Sequence, residues 1–323
     1  MEVSDFTGRL SMSIKKGKKD VVKKTAMLFT FVIIASCNIN SNKKTQYDTP
    51  ANGTIYISVD ESFEPVINEQ IQVYEASHQK AHIIASYKSE ADCFRDLQKD
   101  STRLIIVSRG LSAEEIKFYR EKIYQPPLFD IVAYDAVCAI INIHEKDSVY
   151  TLQQLAKYMD GEDSSKTIVV DGRNATSTVK LLQDSLLHGK SFSNNVVAAN
   201  GSKAVVEYIS QHENAIGFAG ASWVGDYYNP EQKAYFNKIK FALLECKNCD
   251  KGVYAKPSQS TIYYNQYPLV RPLYFILKEN ATGLGTGFTN FLSYERGQLV
   301  FKSSNLVAAK MNFRVRKTMI DPK

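Results

Sequence analysis

The stretch Thr167-Ile-Val-Val-Asp-Gly-Arg-Asn-Ala-Thr-Ser-Thr-Val-Lys-Leu-Leu-Gln-Asp-Ser-Leu-Leu187 combines a short apolar strand, a polar turn and an amphipathic helix. The turn carries Arg173 and three hydroxyl side chains, Thr176, Ser177 and Thr178, where the helix is expected to begin. The first amides of a helix have no intrahelical partner, and the helix dipole is positive there. The stretch therefore predicts a turn that binds an oxyanion.

The order of strand, polar turn and helix recurs on both sides of this stretch. Apolar runs predict strands at 54–59, 82–85, 104–107, 168–170, 215–219 and 269–277. Amphipathic segments between them predict helices, the last from about Gly287 to Phe301, whereas residues 225–260 have poor periodicity and predict surface loops. Such alternation is typical of an α/β fold with largely parallel sheets.

The length of 323 residues exceeds one core of ordinary size, so two lobes are expected. We place residues 53–135 and 265–323 in the first lobe and residues 136–264 in the second. The long apolar segment Ile131–Ile143 is expected to carry the chain from one lobe to the other.

The first 37 residues have the features of a targeting segment. Residues 1–24 carry seven Lys and Arg against three acids, which supplies +4 of the net charge of +6. The apolar run Ala26–Ile34 then leads to Ala35-Ser36-Cys37, which resembles a bacterial lipobox with Cys37 as the acylated residue. An uncleaved anchor and a simple secretory signal are the alternatives. The polar residues 38–52 predict a flexible tether.

Donor side chains cluster where predicted strands end, which is where ligands bind in open α/β sheets. The first lobe offers Ser62 and Phe63 (partly through backbone amides), Ser89, and Ser108 with Arg109. The second lobe offers Arg173, Thr176, Ser177 and Thr178. Each hydroxyl taken alone is better explained as a helix cap than as a ligand contact, but their recurrence in both halves favours a shared cleft. Hydroxyls and guanidinium groups suit a tetrahedral oxyanion such as phosphate.

Other classes of function find less support in the sequence. Five His residues show no metal spacing or catalytic triad, so neither an enzyme nor a cofactor is expected, and no basic run with interleaved aromatic residues indicates a nucleic-acid partner. Cys93 and Cys138 are predicted core residues, and Cys246-x-x-Cys249 a loop disulfide or two unreactive thiols. Asp60, Glu61 and Glu64 form an acidic group that is either a solvated loop or an acceptor for a protonated oxyanion or a cation.

With these residues in place, the chain resembles the substrate-binding proteins of phosphate ABC transporters, within the type II periplasmic binding protein superfamily. The resemblance runs from about Gly53 to Ala309. Its most specific motifs are Asn214-Ala-Ile-Gly-Phe218, Tyr267-Pro-Leu-Val-Arg-Pro-Leu-Tyr274, and Phe291-Leu followed by Gly297-Gln298. Arg271, inside the second motif, is interpreted as a residue that holds the fold rather than as a ligand contact.

The binding loops depart further from the family pattern. Ser62-Phe63 and Ser108-Arg109 resemble the first and third loops, but in the second only Ser89 has a counterpart. Arg173 stands about two residues too close to the hydroxyl residues that follow it.

The resemblance implies a two-lobed fold that captures an oxyanion, with inorganic phosphate expected, for an ABC transporter permease. A monomer is also expected. Together with the lipobox-like segment, the departures from the family pattern resemble a divergent bacterial lipoprotein branch, so we expect the protein on the periplasmic side of a bacterial membrane, lipid-anchored at Cys37. The alternatives are a binder of another oxyanion or of a small phosphorylated metabolite, and a sensor or scaffold lipoprotein with the same fold.

Overall fold

The computed structural model describes residues 48–123, 125–172, 176–226 and 229–311 as alternating strands and helices. The strands are β1 (Asn52–Asp60), β2 (Lys80–Lys88), β3 (Leu104–Val107), β4 (Leu128–Asn142), β5 (Val149–Tyr150), β6 (Thr167–Val170), β7 (Val197–Ala198), β8 (Ala215–Gly220), β9 (Ile239–Phe241), β10 (Leu243–Glu245), β11 (Tyr254–Ala255), β12 (Val270–Leu277) and β13 (Val307–Ala308).

The helices flank these strands, and a short 3-10 turn at Glu61–Phe63 follows β1. They are α1 (Glu64–Ser77), α2 (Glu90–Leu97), α3 (Ala113–Ile123), α4 (Leu152–Asp160), α5 (Ser177–Leu186), α6 (Ser202–Gln211), α7 (Ala221–Val224), α8 (Pro230–Lys233), α9 (Gln259–Tyr263), α10 (Leu284–Ser293) and α11 (Glu295–Ser303). None of the helices in the described ranges is both long and apolar enough to cross a bilayer.

The main strands follow the order β2-β1-β3-β12-β4-β8-β6-β7. In the first half, β1 lies parallel to β2 and β3, and in the second half β6 lies parallel to β7 and β8. Between them, β12 and β4 run antiparallel to each other. The 15-residue strand β4 also pairs with β8, so it connects the two halves as the apolar segment Ile131–Ile143 predicts.

Two groups of buried side chains correspond to two lobes. One group packs helices α1, α10 and α11 against β1, β3 and β12 through residues such as Ile57, Phe63 and Phe288. The other packs α5 and α6 against β6 and β8 through residues such as Val169 and Ile216. The predicted two-lobed α/β class is therefore confirmed. The lobe boundaries at 135/136 and 264/265 stay predictions.

Helix boundaries follow the capping residues that the sequence contains. Thr151 and Gln154 form a capping box at the start of α4, and this helix ends at Gly161, whose φ of 86° lies in the left-handed region that glycine tolerates. Ser112 and Glu115 bond reciprocally at the start of α3.

The predicted helix from Gly287 to Phe301 is wrong, because two helices, α10 and α11, meet at an extended Tyr294. Gln298 donates from its side-chain Nε2 to the carbonyl of Leu292 at 2.6 Å. A Cβ added at Gly297 would lie 2.2 Å from the carbonyl oxygen of Phe291, so the second helix starts against the end of the first. This close approach requires glycine and breaks the helical run.

The prediction that residues 225–260 form only loops is also wrong. This region contains α8 and the short strands β9, β10 and β11. Strand β9 pairs with β4 and β10 pairs with β5, so both are held by distant partners rather than by local periodicity.

Residues 48–52, at the end of the predicted tether, also contact the first lobe, because both carboxylate oxygens of Asp48 accept hydrogen bonds from Arg103.

Candidate functional site

The turn after β1 is built around a buried carboxylate. Strand β1 ends at Asp60, whose Oδ1 accepts a hydrogen bond from the backbone N–H of Ser62 at 3.0 Å. This bond closes the 3-10 turn and leaves Ser62 and Phe63 fully buried. The hydroxyl of Ser62 lies within reach of side chains of the second lobe.

The turn after β6 leads into α5 through a hydroxyl cap. Thr176 caps the helix, since its Oγ1 accepts from the backbone N–H of Val179 at 3.1 Å. Thr176, Ser177 and Thr178 are all buried, with exposed fractions of 5%, 2% and 0%. The predicted anion turn therefore presents its hydroxyls to the protein interior between the lobes.

The two turns meet across the lobes. The Oγ atom of Ser62 lies 3.3 Å from Thr178 Oγ1, 3.5 Å from Ser177 Oγ and 3.4 Å from the carboxylate of Asp171. Ser222 of α7 adds a further contact, donating to the carbonyl of Ser62 at 3.4 Å. We call the three side chains Ser62, Ser177 and Thr178 the hydroxyl cluster.

The positive charge beside the hydroxyl cluster comes from Arg271 on β12. Its Nη1 donates to Ser177 Oγ at 2.7 Å and to Thr178 Oγ1 at 3.2 Å. Its Nε and Nη2 donate to one carboxylate oxygen of Asp135 at 2.9 and 2.8 Å, and the guanidinium lies 4.7 Å from the ring centroid of Phe63. Arg271 is only 2% exposed. The fold-holding role assigned to it from sequence stays a prediction, and the bonds to Ser177 and Thr178 also place its guanidinium beside the hydroxyl cluster.

Two features of the sequence point to this pair in retrospect. Arg271 is the one charge in the strand Val270–Leu277, and Asp135 lies in the apolar segment Ile131–Ile143. A buried charge requires a partner of opposite sign. The register that places Arg271 opposite Asp135 joins residues 136 positions apart, which no local pattern shows.

The surroundings of Arg271 are rich in carboxylates. Asp60, Asp135 and Asp171 are buried, and Glu61 is partly buried in the turn after β1. Asp60 Oδ2 and Glu61 Oε1 accept no hydrogen bond from the described residues. Within the described ranges, no three His, Cys, Asp or Glu side chains are placed to hold a metal ion. The site therefore places the donors of Arg271 near carboxylate oxygens that accept no hydrogen bond from the described residues.

Burial shifts the protonation of these acids. Burial, and then the nearby charges of Asp171, Asp60 and Glu64, raise the pKa of Glu61 to about 7. Burial also raises the pKa of Asp171, against the lowering effect of hydrogen bonds from Thr178 and Thr176. Both shifts reflect the cost of ionising a carboxyl away from water beside other anions.

The remaining predicted donors of the first lobe are bonded to nearby carboxylates. Ser89 caps α2 and donates to Asp92 Oδ2 at 2.7 Å, and Ser108 Oγ donates to Glu90 Oε1 at 2.7 Å.

Arg109 forms two bonds with Glu115, at 2.8 and 2.9 Å, and its guanidinium carbon lies 3.6 Å from the ring centroid of Phe94. Arg109 is therefore neutralised by an acid of its own lobe. No result tests any of the predicted ligand contacts, so all of them stay predictions.

Several predictions fall outside the described residues or away from the cleft. Arg173 and the segment containing Cys37 lie outside the described residues. Cys246 and Cys249 form a disulfide, one of the two alternatives for that pair. Cys93 and Cys138 are buried free thiols, which confirms their prediction as core residues.

The fold and the cluster between its lobes define a two-lobed α/β protein of the periplasmic binding protein class. Residues 44–295 match the family described as the PBP superfamily domain, and the chain belongs to that superfamily. The predicted superfamily membership is thus confirmed.

Individual relatives share the fold at low identity. Protein SphX of Synechococcus elongatus is 24% identical over 241 residues, which cover 65% of this chain and 66% of that protein, just under two thirds of its length. A protein assigned as a phosphate ABC transporter substrate-binding protein, with bound phosphate, from Clostridium perfringens aligns with a TM-score of 0.65 and 18% identity. That alignment covers 80% of this chain and all of the other.

An ABC-type phosphate transport receptor from Vibrio cholerae aligns with a TM-score of 0.58 and 16% identity, covering 78% of this chain and 99% of the receptor. At such identities the two structures establish the shared fold.

Proposed function

We propose that this protein captures an oxyanion, inorganic phosphate above all, between its two lobes and presents it to an ABC transporter permease. The observation that carries the proposal is the meeting of Ser62 from one lobe with Ser177 and Thr178 from the other, beside the buried guanidinium of Arg271. Hydroxyl and guanidinium donors converging from two lobes suit a ligand with several acceptor oxygens.

The acids of the site narrow the chemistry of the anion. Asp60 Oδ2 and Glu61 Oε1 are acceptors without a donor among the described residues. An oxyanion that carries a proton can donate to such an oxygen, whereas a fully ionised one meets only repulsion. Phosphate retains a proton near neutral pH and sulfate does not, so we expect phosphate to bind more tightly.

Contacts from both lobes explain how binding could be signalled. A ligand that bonds to Ser62 and to Ser177 together stabilises the arrangement in which the lobes meet, through contacts unavailable when they separate. A permease that recognises this arrangement would distinguish loaded from unloaded protein. We expect a binding protein without catalytic activity, acting as a monomer.

We further propose that Cys37 carries a lipid that holds the protein on the periplasmic side of the membrane. The support is the basic segment, the apolar run and the small residues that precede Cys37. Mass spectrometry of the protein from membranes should show a diacylglyceryl adduct on an N-terminal Cys37. A mature protein that begins elsewhere would contradict this assignment.

Calorimetric titration of the purified full-length chain in mild detergent with phosphate, sulfate and simple organic phosphates tests the ligand. We expect one site per chain, with phosphate at least tenfold tighter than sulfate. Tighter binding of an organic phosphate would favour the phosphorylated metabolite. Folded protein that binds none of these anions would rule out oxyanion capture and favour a sensor or scaffold with this fold.

A further inference from the structure

The carboxylate of Asp171 bonds to the hydroxyls expected to hold the ligand. Thr176 Oγ1 donates to Asp171 Oδ1 at 2.8 Å. Asp171 Oδ2 lies 3.4 Å from Ser62 Oγ and 3.3 Å from Ser202 Oγ, at the start of α6. The first bond has the usual length of a hydroxyl hydrogen bond, and the other two are long.

These contacts span both lobes. Ser62 belongs to the first lobe, and Thr176 and Ser202 belong to the second. A carboxylate that accepts from both lobes makes the same kind of contacts as a bound oxyanion. Since a hydroxyl has one hydrogen to donate, a donor engaged by Asp171 must leave it before bonding to a ligand.

The charged groups around Asp171 come from several elements. Asp60 at the end of β1 and Glu61 in the following turn add negative charge, and Arg271 on β12 adds positive charge that Asp135 largely offsets. On α6 the neighbouring Lys203 is exposed and paired with Glu231. Among the described residues, acids therefore outnumber bases in the region that an added oxyanion would enter.

We propose that Asp171 is an internal competitor of the oxyanion, which holds the hydroxyls until it takes up a proton from solvent and releases them as the ligand binds. The proposal rests on the proposed function, because it concerns access to the same hydroxyls. Neutral Asp171 accepts hydrogen bonds more weakly and no longer repels the ligand. Phosphate capture is thus coupled to proton uptake at Asp171.

The size of the effect follows from how fully Asp171 engages the hydroxyls. When a competing arrangement holds about nine-tenths of the molecules, the apparent affinity falls about tenfold. We therefore expect Asp171→Asn to bind phosphate about tenfold more tightly than the unaltered chain at pH 8. The gain should shrink as the pH falls, because protonation then neutralises the carboxyl of the unaltered protein as well.

The test is calorimetric titration of the full-length chain with inorganic phosphate from pH 5 to 8, in buffers of different ionisation enthalpy. The ratio of the two Kd values at each pH cancels the titration of phosphate itself. The buffer series counts protons taken up on binding, and we expect a smaller uptake for Asp171→Asn. Glu64→Gln is the matched control, because it removes one negative charge of the same acidic group, and among the described residues the Glu64 carboxylate forms no hydrogen bond with the hydroxyls.

The outcomes separate the inference from the proposed function. If the unaltered chain binds phosphate and Asp171→Asn shows no gain, or Glu64→Gln shows an equal gain, the competitor role is overturned and oxyanion capture is left intact. If the unaltered chain and every variant fold but do not bind phosphate, both the competitor role and the proposed function are overturned. If Asp171→Asn does not fold, Asp171→Ser keeps a hydroxyl acceptor for Thr176 and carries the same expectations.

Discussion

Arg109 and Arg271 each bond twice to a carboxylate and lie against a phenylalanine ring, yet they occupy opposite environments. Arg109 and Glu115 have side chains 41% and 31% exposed, whereas Arg271 and Asp135 are 3% and 0% exposed. Only Arg271 has a further nitrogen bonded to the hydroxyl cluster. We therefore expect a buried guanidinium that donates both to hydroxyls of the site and to the carboxylate of its own ion pair to be a better indication of a ligand site than an exposed guanidinium at the end of a strand.

The largest effect should come from breaking the buried pair. Arg271→Met leaves Asp135 without its partner, and loss of one member of a buried ion pair costs about 3–5 kcal/mol of stability. Urea denaturation should show this loss in the free energy of unfolding. The double variant Arg271→Met, Asp135→Asn should recover a large part of it. Equal losses in the single and double variants would show that the pair is not the cause.

The hydroxyls of the two regions should differ in their effect on ligand binding. Ser177→Ala removes an acceptor for Arg271 and a proposed ligand donor, so we expect about a tenfold loss in phosphate affinity, the order expected for a hydrogen bond to a charged group. Ser89→Ala is the control, since its hydroxyl caps α2 and bonds to Asp92. It should cost about 1 kcal/mol of stability and change the phosphate Kd less than twofold. A tenfold loss of phosphate affinity in Ser89→Ala would indicate that Ser89 contacts the ligand.

Stability should depend on pH through Glu61, whose pKa is raised to about 7 by burial and by nearby acids. The folded protein binds the proton more tightly than the unfolded chain, so stability from this group is present at low pH and falls as the pH rises toward 7. Glu61→Gln should flatten this decline and add about 1 kcal/mol at pH 8, allowing for the partial exposure of the side chain. Chemical denaturation across pH 4 to 8 measures it. If stability declines equally steeply with pH in Glu61→Gln, a group other than Glu61 causes the decline.

The smallest effect should come from the exposed pair. Arg109→Met removes a half-exposed ion pair, and such pairs contribute less than about 1 kcal/mol. Thermal unfolding should therefore shift by only a few degrees. A destabilisation comparable to that of Arg271→Met would remove the contrast between the two arginines.

The sequence predicts those parts of the fold that local residues specify. The caps at Ser89, Ser112 and Thr151 lie where their side chains allow, and the strand Leu104–Val107 matches its predicted bounds. The strands within 225–260 are missed because their order comes from pairing with distant strands. The break at Tyr294 is missed because it depends on the close packing of Gly297.

In the candidate site, too, local residues predict some features, and contacts between distant segments determine the others. Sequence indicates Ser62, Ser177 and Thr178, because strand ends in a sheet collect polar residues. Their contact with Arg271 depends on the register between β12 and β4, and the bonds between Asp171 and hydroxyls of both lobes depend on how the lobes meet. Neither relation has a local signature in the chain.

The most direct test of the account is a calorimetric titration of Arg271→Lys and Arg109→Lys with phosphate, side by side. Both substitutions keep the charge and lose the planar fork of donors. We predict that Arg271→Lys weakens phosphate binding at least tenfold and that Arg109→Lys leaves the Kd within twofold. Weaker binding by Arg109→Lys, with Arg271→Lys unchanged, would contradict the assignment of the site to the hydroxyl cluster.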